Sequence, residues 1–392
     1  MLLLPTVASV ANVPPATATQ TIQPTNSPAA ANTPALATDD FTATPLPIPP
    51  TNSPEPTPLP TIDLSILNAA PPAWPPALIS GELASNYPLT HTTSSGQFIL
   101  HYQPGTVAES QIDLMAVMIE QVWLDTEVAI ERSLNRQIDL YLAGNLFEIN
   151  PFLQGYTQSG LFRSFVLVNA ASHPAEEKYL LAHELNHILS AYMGGGYQQY
   201  SSVMLNEGLA VYIPYHYLED EAGYLPLKQI CAAVLSQPNS VSVANLINYG
   251  YDPADPNAFG GHIRTFVNYH ISGCFVGYLI EAYGIESVKN VFFDGDFLFH
   301  YGKTLNELET EWAESLDRNV ILEVDPDSFL NQVDAVSQAF RFYIQNSEEG
   351  IHYNYPAYLY LNLARLNVNR GDIELSEQNL AIFWQLVENS SS

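Results

Sequence analysis

Nineteen of the chain's 29 prolines stand before residue 90, and that asymmetry decides where a core can form. They are interleaved with Thr, Ala, Asn and Ser in stretches such as TNSPEPTPLPT (51–61). Each proline fixes its own φ and removes a backbone donor, and the neighbouring residues offer too little apolar surface to offset the entropy of ordering. Residues 14–92 therefore read as a disordered Pro/Thr-rich stalk, with a generic disordered tail as the alternative, and order is expected from about residue 93. The opening MLLLPTVASVA pairs a short apolar run with a small-residue cleavage pattern at Ser9, Val10 and Ala11. No Lys or Arg precedes Arg132, so the basic start of a secretory signal is missing, and residues 1–13 read as a degenerate signal segment.

Beyond the stalk the apolar periodicity changes. QFILHY (97–102), QIDLYLA (137–143) and LFRSFVLVNA (161–170) read as strands, while Ile112, Met115, Ile119, Val122 and Trp123 recur at helical spacing within 107–132. Helical patterns then cover 175–192, 202–217, 225–235, 264–283, 285–292, 304–318 and 327–346. Strands first and helices afterwards predict an α+β domain over 93–322. In the helical segment 325–390, Leu361, Ala364, Arg365, Gly371, Asp372 and Ala381 resemble one tetratricopeptide-type unit. One such unit cannot close a core, so the segment either packs on the domain before it or belongs to a longer array.

Charge narrows the partners. Twelve Lys+Arg against 41 Asp+Glu give a net charge of −29, which repels phosphate backbones and argues against nucleic acid. No apolar run reaches the roughly 18 to 20 residues of a membrane span. Cys231 and Cys274 permit one disulfide in an oxidising compartment, and two buried thiols are the equal alternative.

The chemistry sits in AEEKYLLAHELNHILSAY, which contains H-E-x-x-H at His183, Glu184 and His187. On a helix, residues four apart share a face, so two imidazoles can hold one metal while Glu184 projects beside it. Leu180, Leu181, Leu185, Ile188 and Leu189 supply an apolar face, and Glu176 and Glu177 fall in the first turn, where the helix dipole favours anions. The motif arises by chance in about 2% of chains of this composition, so it needs a third ligand to argue for a metal. NEGLAVY (206–212) supplies one: Glu207 lies on the next predicted helix, twenty positions past His187, with MGGGYQQYS (193–201) as the reversal. Three protein ligands and one open position are what a catalytic zinc wants.

HELNH followed by LNEGLAVY resembles the gluzincins of peptidase clan MA, and the bacterial peptidase MA-like family in particular. A metzincin is excluded because positions 190 and 193 are Ser and Met. YHISGCFVGYLIEAYG (269–284) is similar to a segment that follows the third ligand in that family, and TLNELETEWAESL (304–316) resembles its closing helix. The resemblance covers roughly 95–320. It implies a thermolysin-like zincin fold and one Zn2+ per chain, held by His183, His187 and Glu207. It further implies a peptide or protein substrate, Glu184 as general base on a zinc-bound water, and Tyr269 as hydrogen-bond donor to the oxyanion. It also implies that strand 161–170 offers a sheet edge to an extended peptide.

His262 and His270, which flank Tyr269, are alternative oxyanion donors, and His173, His216, His300 and His352 have no evident partner. The tyrosines at 192, 197, 200, 212, 215 and 217 read as packing before cleft lining. Ala210 and Val211 stand where many gluzincins carry an acidic residue that orients a zinc histidine. The competing functions are a non-catalytic peptide-binding module with a TPR-like tail and a purely structural metal protein. A Pro/Thr-rich stalk of this kind points to an extracytoplasmic protein tethered to the cell envelope.

Overall fold

The structure is a computed structural model that describes residues 86–143, 155–168, 174–237, 242–247, 262–348 and 355–390. The signal segment 1–13 and stalk residues 14–85 lie outside the described residues. Five strands form one mixed sheet: β1 (Leu89–Thr92), β2 (Phe98–Tyr102), β3 (Ile138–Ala143), β4 (Gly155–Gln158) and β5 (Arg163–Leu167), in the order β1-β2-β3-β5-β4. The three central strands run parallel, and β1 and β4 close the two edges antiparallel. Parallel neighbours need a crossover, and between β2 and β3 it is supplied by the short α1 (Val107–Ser110) and by α2 (Ile112–Ile130). Phe98, Leu100, Ile138, Leu140 and Val166 are buried, and Phe98 meets Trp123 of α2 edge to face at 5.6 Å.

The stalk expectation is corrected at its end. Order extends back at least to residue 86, because β1 pairs with β2 and Tyr87 is buried edge to face against Tyr141. A proline-rich composition hid a four-residue strand that needs only one partner strand to form.

After the sheet the chain is helical: α3 (Pro174–Ser190), α4 (Val203–Ala222), α5 (Leu227–Leu235), α6 (Val243–Ile247), α7 (His262–Tyr283), α8 (Ile285–Asp294), α9 (Phe297–Tyr301) and α10 (Leu305–Asn319). Helix α3 packs between the sheet, α2 and α4, and α4 packs along α7. The last three helices, α11 (Pro326–Glu348), α12 (Tyr355–Asn369) and α13 (Ile373–Ser390), lie on the helices before them. Phe329, Val333, Ala364 and Phe383 join the same apolar cluster as the residues of α3 and α4, and the Leu225 amide donates to the Asn369 carbonyl at 2.8 Å. The C-terminal helices thus pack on the domain before them. The architecture is α+β, mainly helical with a small mixed sheet. Among the described residues no helix is long and apolar enough to cross a membrane.

Candidate metal centre

Helix α3 is fixed by one face. Leu181, Ala182, Leu185, Ile188 and Leu189 are fully buried, so the opposite stripe, which carries His183 and His187, turns toward α4 and α7. The chain reverses through residues 191–202, with Gly195 at φ +97°, and Ser201 donates from its amide to the Phe292 carbonyl at 2.7 Å. The Ser202 hydroxyl then accepts from the Leu205 amide at 3.2 Å and opens α4 one turn ahead of Glu207.

Helices α4 and α7 approach closely because glycines line their crossing. A Cβ on Gly208 would stand 2.6 Å from the Ser272 carbonyl oxygen, and one on Gly273 would stand 2.6 Å from Val211 Cγ1. A Cβ on Gly277 would fall on the Tyr212 ring. No side chain larger than hydrogen fits there without movement, so Glu207 and the first half of α7 are held against α3 at a fixed depth.

The result is a triangle of donor atoms. His183 Nε2 and His187 Nε2 stand 3.3 Å apart, and Glu207 Oε2 lies 3.3 Å from the first and 3.5 Å from the second. Three donors of a tetrahedral ion with metal–donor distances of about 2.0 to 2.1 Å stand about 3.3 to 3.4 Å apart, which is the spacing found. Glu207 Oε2 is buried without a hydrogen bond among the described residues, although two ring nitrogens face it. Two imidazole nitrogens and a carboxylate oxygen converging at this spacing fit a cation. His183, His187 and Glu207 thus form a candidate metal-binding triad.

The three groups are also electrostatically coupled. Burial works against a charge on His187, yet the Glu207 carboxylate outweighs it and lifts its pKa to about 9. Burial would raise the Glu207 carboxyl, but the two histidines hold it far below the usual range. Glu184, 5% exposed, is pushed upward by burial, against the histidine charges and a hydrogen bond from Thr157.

Other sequence expectations resolve one by one. The ring of Tyr269 lies 6.1 Å from that of His183, which puts it beside the triad. His270 is turned elsewhere: Nδ1 stands 2.7 Å from the Phe266 carbonyl, and Nε2 stands 3.2 Å from the Tyr215 hydroxyl. Both ring nitrogens are engaged by these partners, away from the triad, and burial holds its pKa down at about 4. The side chain of His262, and His173 and His352, lie outside the described residues. His300 pairs with Asp294 at 2.7 Å. The tyrosine stripe divides: Tyr212 and Tyr215 are buried, while Tyr197 and Tyr200 are 57% and 39% exposed and pack against Tyr192 and Phe292 respectively. Burial and the Glu207 charge push the Tyr200 hydroxyl upward, and its ring meets Phe292 edge to face at 6.4 Å. Glu177 is buried and not a solvated dipole partner, and its carboxyl is pushed up to about 8.

Strand 161–170 is not the sheet edge. Its core, β5, is covered by β4, and β4 is the edge among the described residues. Cys231 and Cys274 form a disulfide joining α5 to α7, with Cα atoms 6.5 Å apart. Sequence reasoning missed Asn206, whose Nδ2 donates to Glu207 Oε1 at 3.4 Å, and Gly155 and Thr157, which touch Glu184. His187 Nδ1 has no hydrogen-bond partner among the described residues. Comparison with protein-family models, with curated proteins and with solved structures returns no match, so the reading of this centre rests on its own geometry.

Proposed function

We propose that this chain is a zinc-dependent peptidase of the gluzincin type, similar to the bacterial peptidase MA-like family, with a thermolysin-like catalytic domain and a TPR-like C-terminal hairpin. The observation that carries the reading is the donor triangle with 3.3 to 3.5 Å sides, set beside a buried carboxylate that contributes no ligand atom. A structural zinc wants a fourth protein ligand, whereas three ligands beside a general base suit catalysis. His183, His187 and Glu207 would hold the ion, which when bound supplies a Lewis acid for the scissile carbonyl and acidifies water.

The chain's own residues do the rest. Glu184 takes a proton from the attacking water and returns it to the leaving amine, a role suited to a carboxyl whose pKa burial raises. Tyr269, beside His183, donates a hydrogen bond to the developing oxyanion. Strand β4 offers backbone groups along which an extended peptide can lie as a sixth strand. The disulfide and the Pro/Thr-rich stalk support an extracytoplasmic, envelope-tethered protein.

The test is elemental analysis of the full chain beside His183→Ala, with a peptide-library digest of both samples. About one zinc per chain and chelator-sensitive cleavage, both lost in the variant, are expected. Zinc without cleavage would favour the binding module, and absence of zinc would overturn the reading.

A further inference from the structure

We propose that Thr157, backed by Ser164, is a positioning residue that fixes which oxygen of Glu184 faces the substrate. The inference rests on the reading of Glu184 as general base. It starts from register: in the β4–β5 hairpin Thr157 stands directly opposite Ser164, and Gly155 and Thr157 alternate onto the face that meets α3.

Thr157 Oγ1 lies 2.6 Å from Glu184 Oε2, 3.1 Å from the Glu184 carbonyl oxygen and 2.9 Å from Ser164 Oγ. A hydroxyl has one proton to give, and the short contact to a carboxylate is the strongest use of it. Both Glu184 oxygens near Thr157 are acceptors in the ionised form, so the remaining 2.9 Å contact is made by Ser164 donating into Thr157. Ser164 is fully buried, with no water to compete for its proton. The hydroxyls thus form a directed relay, Ser164 to Thr157 to Glu184 Oε2.

The other oxygen is treated differently. A Cβ on Gly155 would collide with Glu184 Oε1, Cγ and Cδ, so the edge strand leaves room there only because residue 155 has no side chain. Free carboxylates rotate easily about the last side-chain torsion, whose wells are broad. Anchoring Oε2 and leaving Oε1 beside a bare backbone removes that freedom and assigns proton transfer to Oε1. A cross-strand Thr–Ser pair also steadies a hairpin, and the experiment must separate that role from positioning.

The full chain is compared as wild type, Thr157→Val, Thr157→Ser and Ser164→Ala. Readouts are zinc content, kcat and KM on a quenched peptide chosen from the wild-type digest, and the NMR resonance of the Thr157 hydroxyl proton. Thr157→Val keeps the shape and loses the hydroxyl; kcat should fall about 10- to 100-fold with KM within about twofold and zinc retained. Thr157→Ser should restore kcat to within about threefold, and Ser164→Ala should show a smaller loss of the same kind. The hydroxyl proton should be visible and slowly exchanging in the wild type and absent in Glu184→Ala. An unchanged kcat in Thr157→Val, or failure of Thr157→Ser to restore it, overturns the proposal, including where Thr157→Val folds poorly. If the wild type cleaves nothing, the peptidase reading fails, and the hydroxyl resonance still decides whether Thr157 holds Glu184.

Discussion

The two ends of α3 both bury ionisable side chains, and they do so in opposite ways. In the first turn, Glu176 meets Arg365 of α12 at 3.5 Å, and Arg365 also lies 5.4 Å over the Phe340 ring. Beside it, burial and the Glu176 charge push the Glu177 carboxyl up to about 8. Two turns later, His183 and His187 aim ring nitrogens at one point that Glu207 also faces. The first end joins the C-terminal hairpin to the domain, and its charges are answered from within. At the second end the donors answer one another only at the spacing a small cation sets. Burial and perturbed pKa values are common to both, so convergence of three donor atoms at a cation's spacing is what separates the candidate metal centre from the other cluster.

Glu184→Gln should break the metal end functionally and leave its framework alone. Peptide hydrolysis is expected to fall about 10²- to 10⁴-fold with zinc content unchanged, read by turnover and elemental analysis on one preparation. Arg365→Leu attacks the other end and should show the reverse pattern. It leaves Glu176 buried beside Glu177, which should cost about 2 kcal/mol in urea unfolding after allowance for the partial exposure of Arg365, while one zinc per chain is retained. Loss of zinc in that variant would mean that the two ends are coupled through the helix.

Gly208→Ala sharpens the contrast from the α4 side. The added methyl meets the Ser272 carbonyl, so α4 must shift from α7. A loss of about 1 to 2 kcal/mol is expected, together with weaker zinc affinity in a competition titration, because Glu207 is the preceding residue. Unaltered affinity would show that the glycine crossing serves packing only.

The last effect is a slope rather than a single loss. The Glu177 carboxyl has its pKa raised from 4.5 to about 8, so between those values the folded state keeps a proton that the unfolded chain has released. Stability is full below the lower value and falls as pH rises through the window, by up to about 1.4 kcal/mol per unit. Glu177→Gln should flatten that dependence, measured as denaturant midpoints across the same range, and an unchanged slope would assign it to other groups.

The metal end was legible because its spacing is local. H-E-x-x-H needs only a helix, and Glu207 needs only a second helix after a short reversal, both of which periodicity supplies. What was illegible depends on pairing across distance. β4, GYTQ, is four residues long with no alternation of apolar side chains, so nothing marked it as the sheet edge or Thr157 as a neighbour of Glu184. β1 was masked by the prolines before it, and α6 and α9 are five residues each, too short to show a period. Tyr269 and His270 are adjacent in sequence but stand about 100° apart on their helix, and only the packing of α5, α7 and α4 decided which one meets the triad. The disulfide joins helices 43 residues apart, and composition could not choose between a bond and two thiols.

That bridge also changes what a broken chain would be. Residues 231–274 form a covalent ring that carries Tyr269, while His183, His187 and Glu207 all precede it. A single backbone cut between Cys231 and Tyr269 would leave the triad on one fragment and Tyr269 on the other, yet the two would remain one molecule. Such a nicked protein would migrate as a single species until a reductant is added, and then as two. Damage by neighbouring proteases within this stretch would therefore be survivable in an oxidising compartment and disassembling in a reducing one.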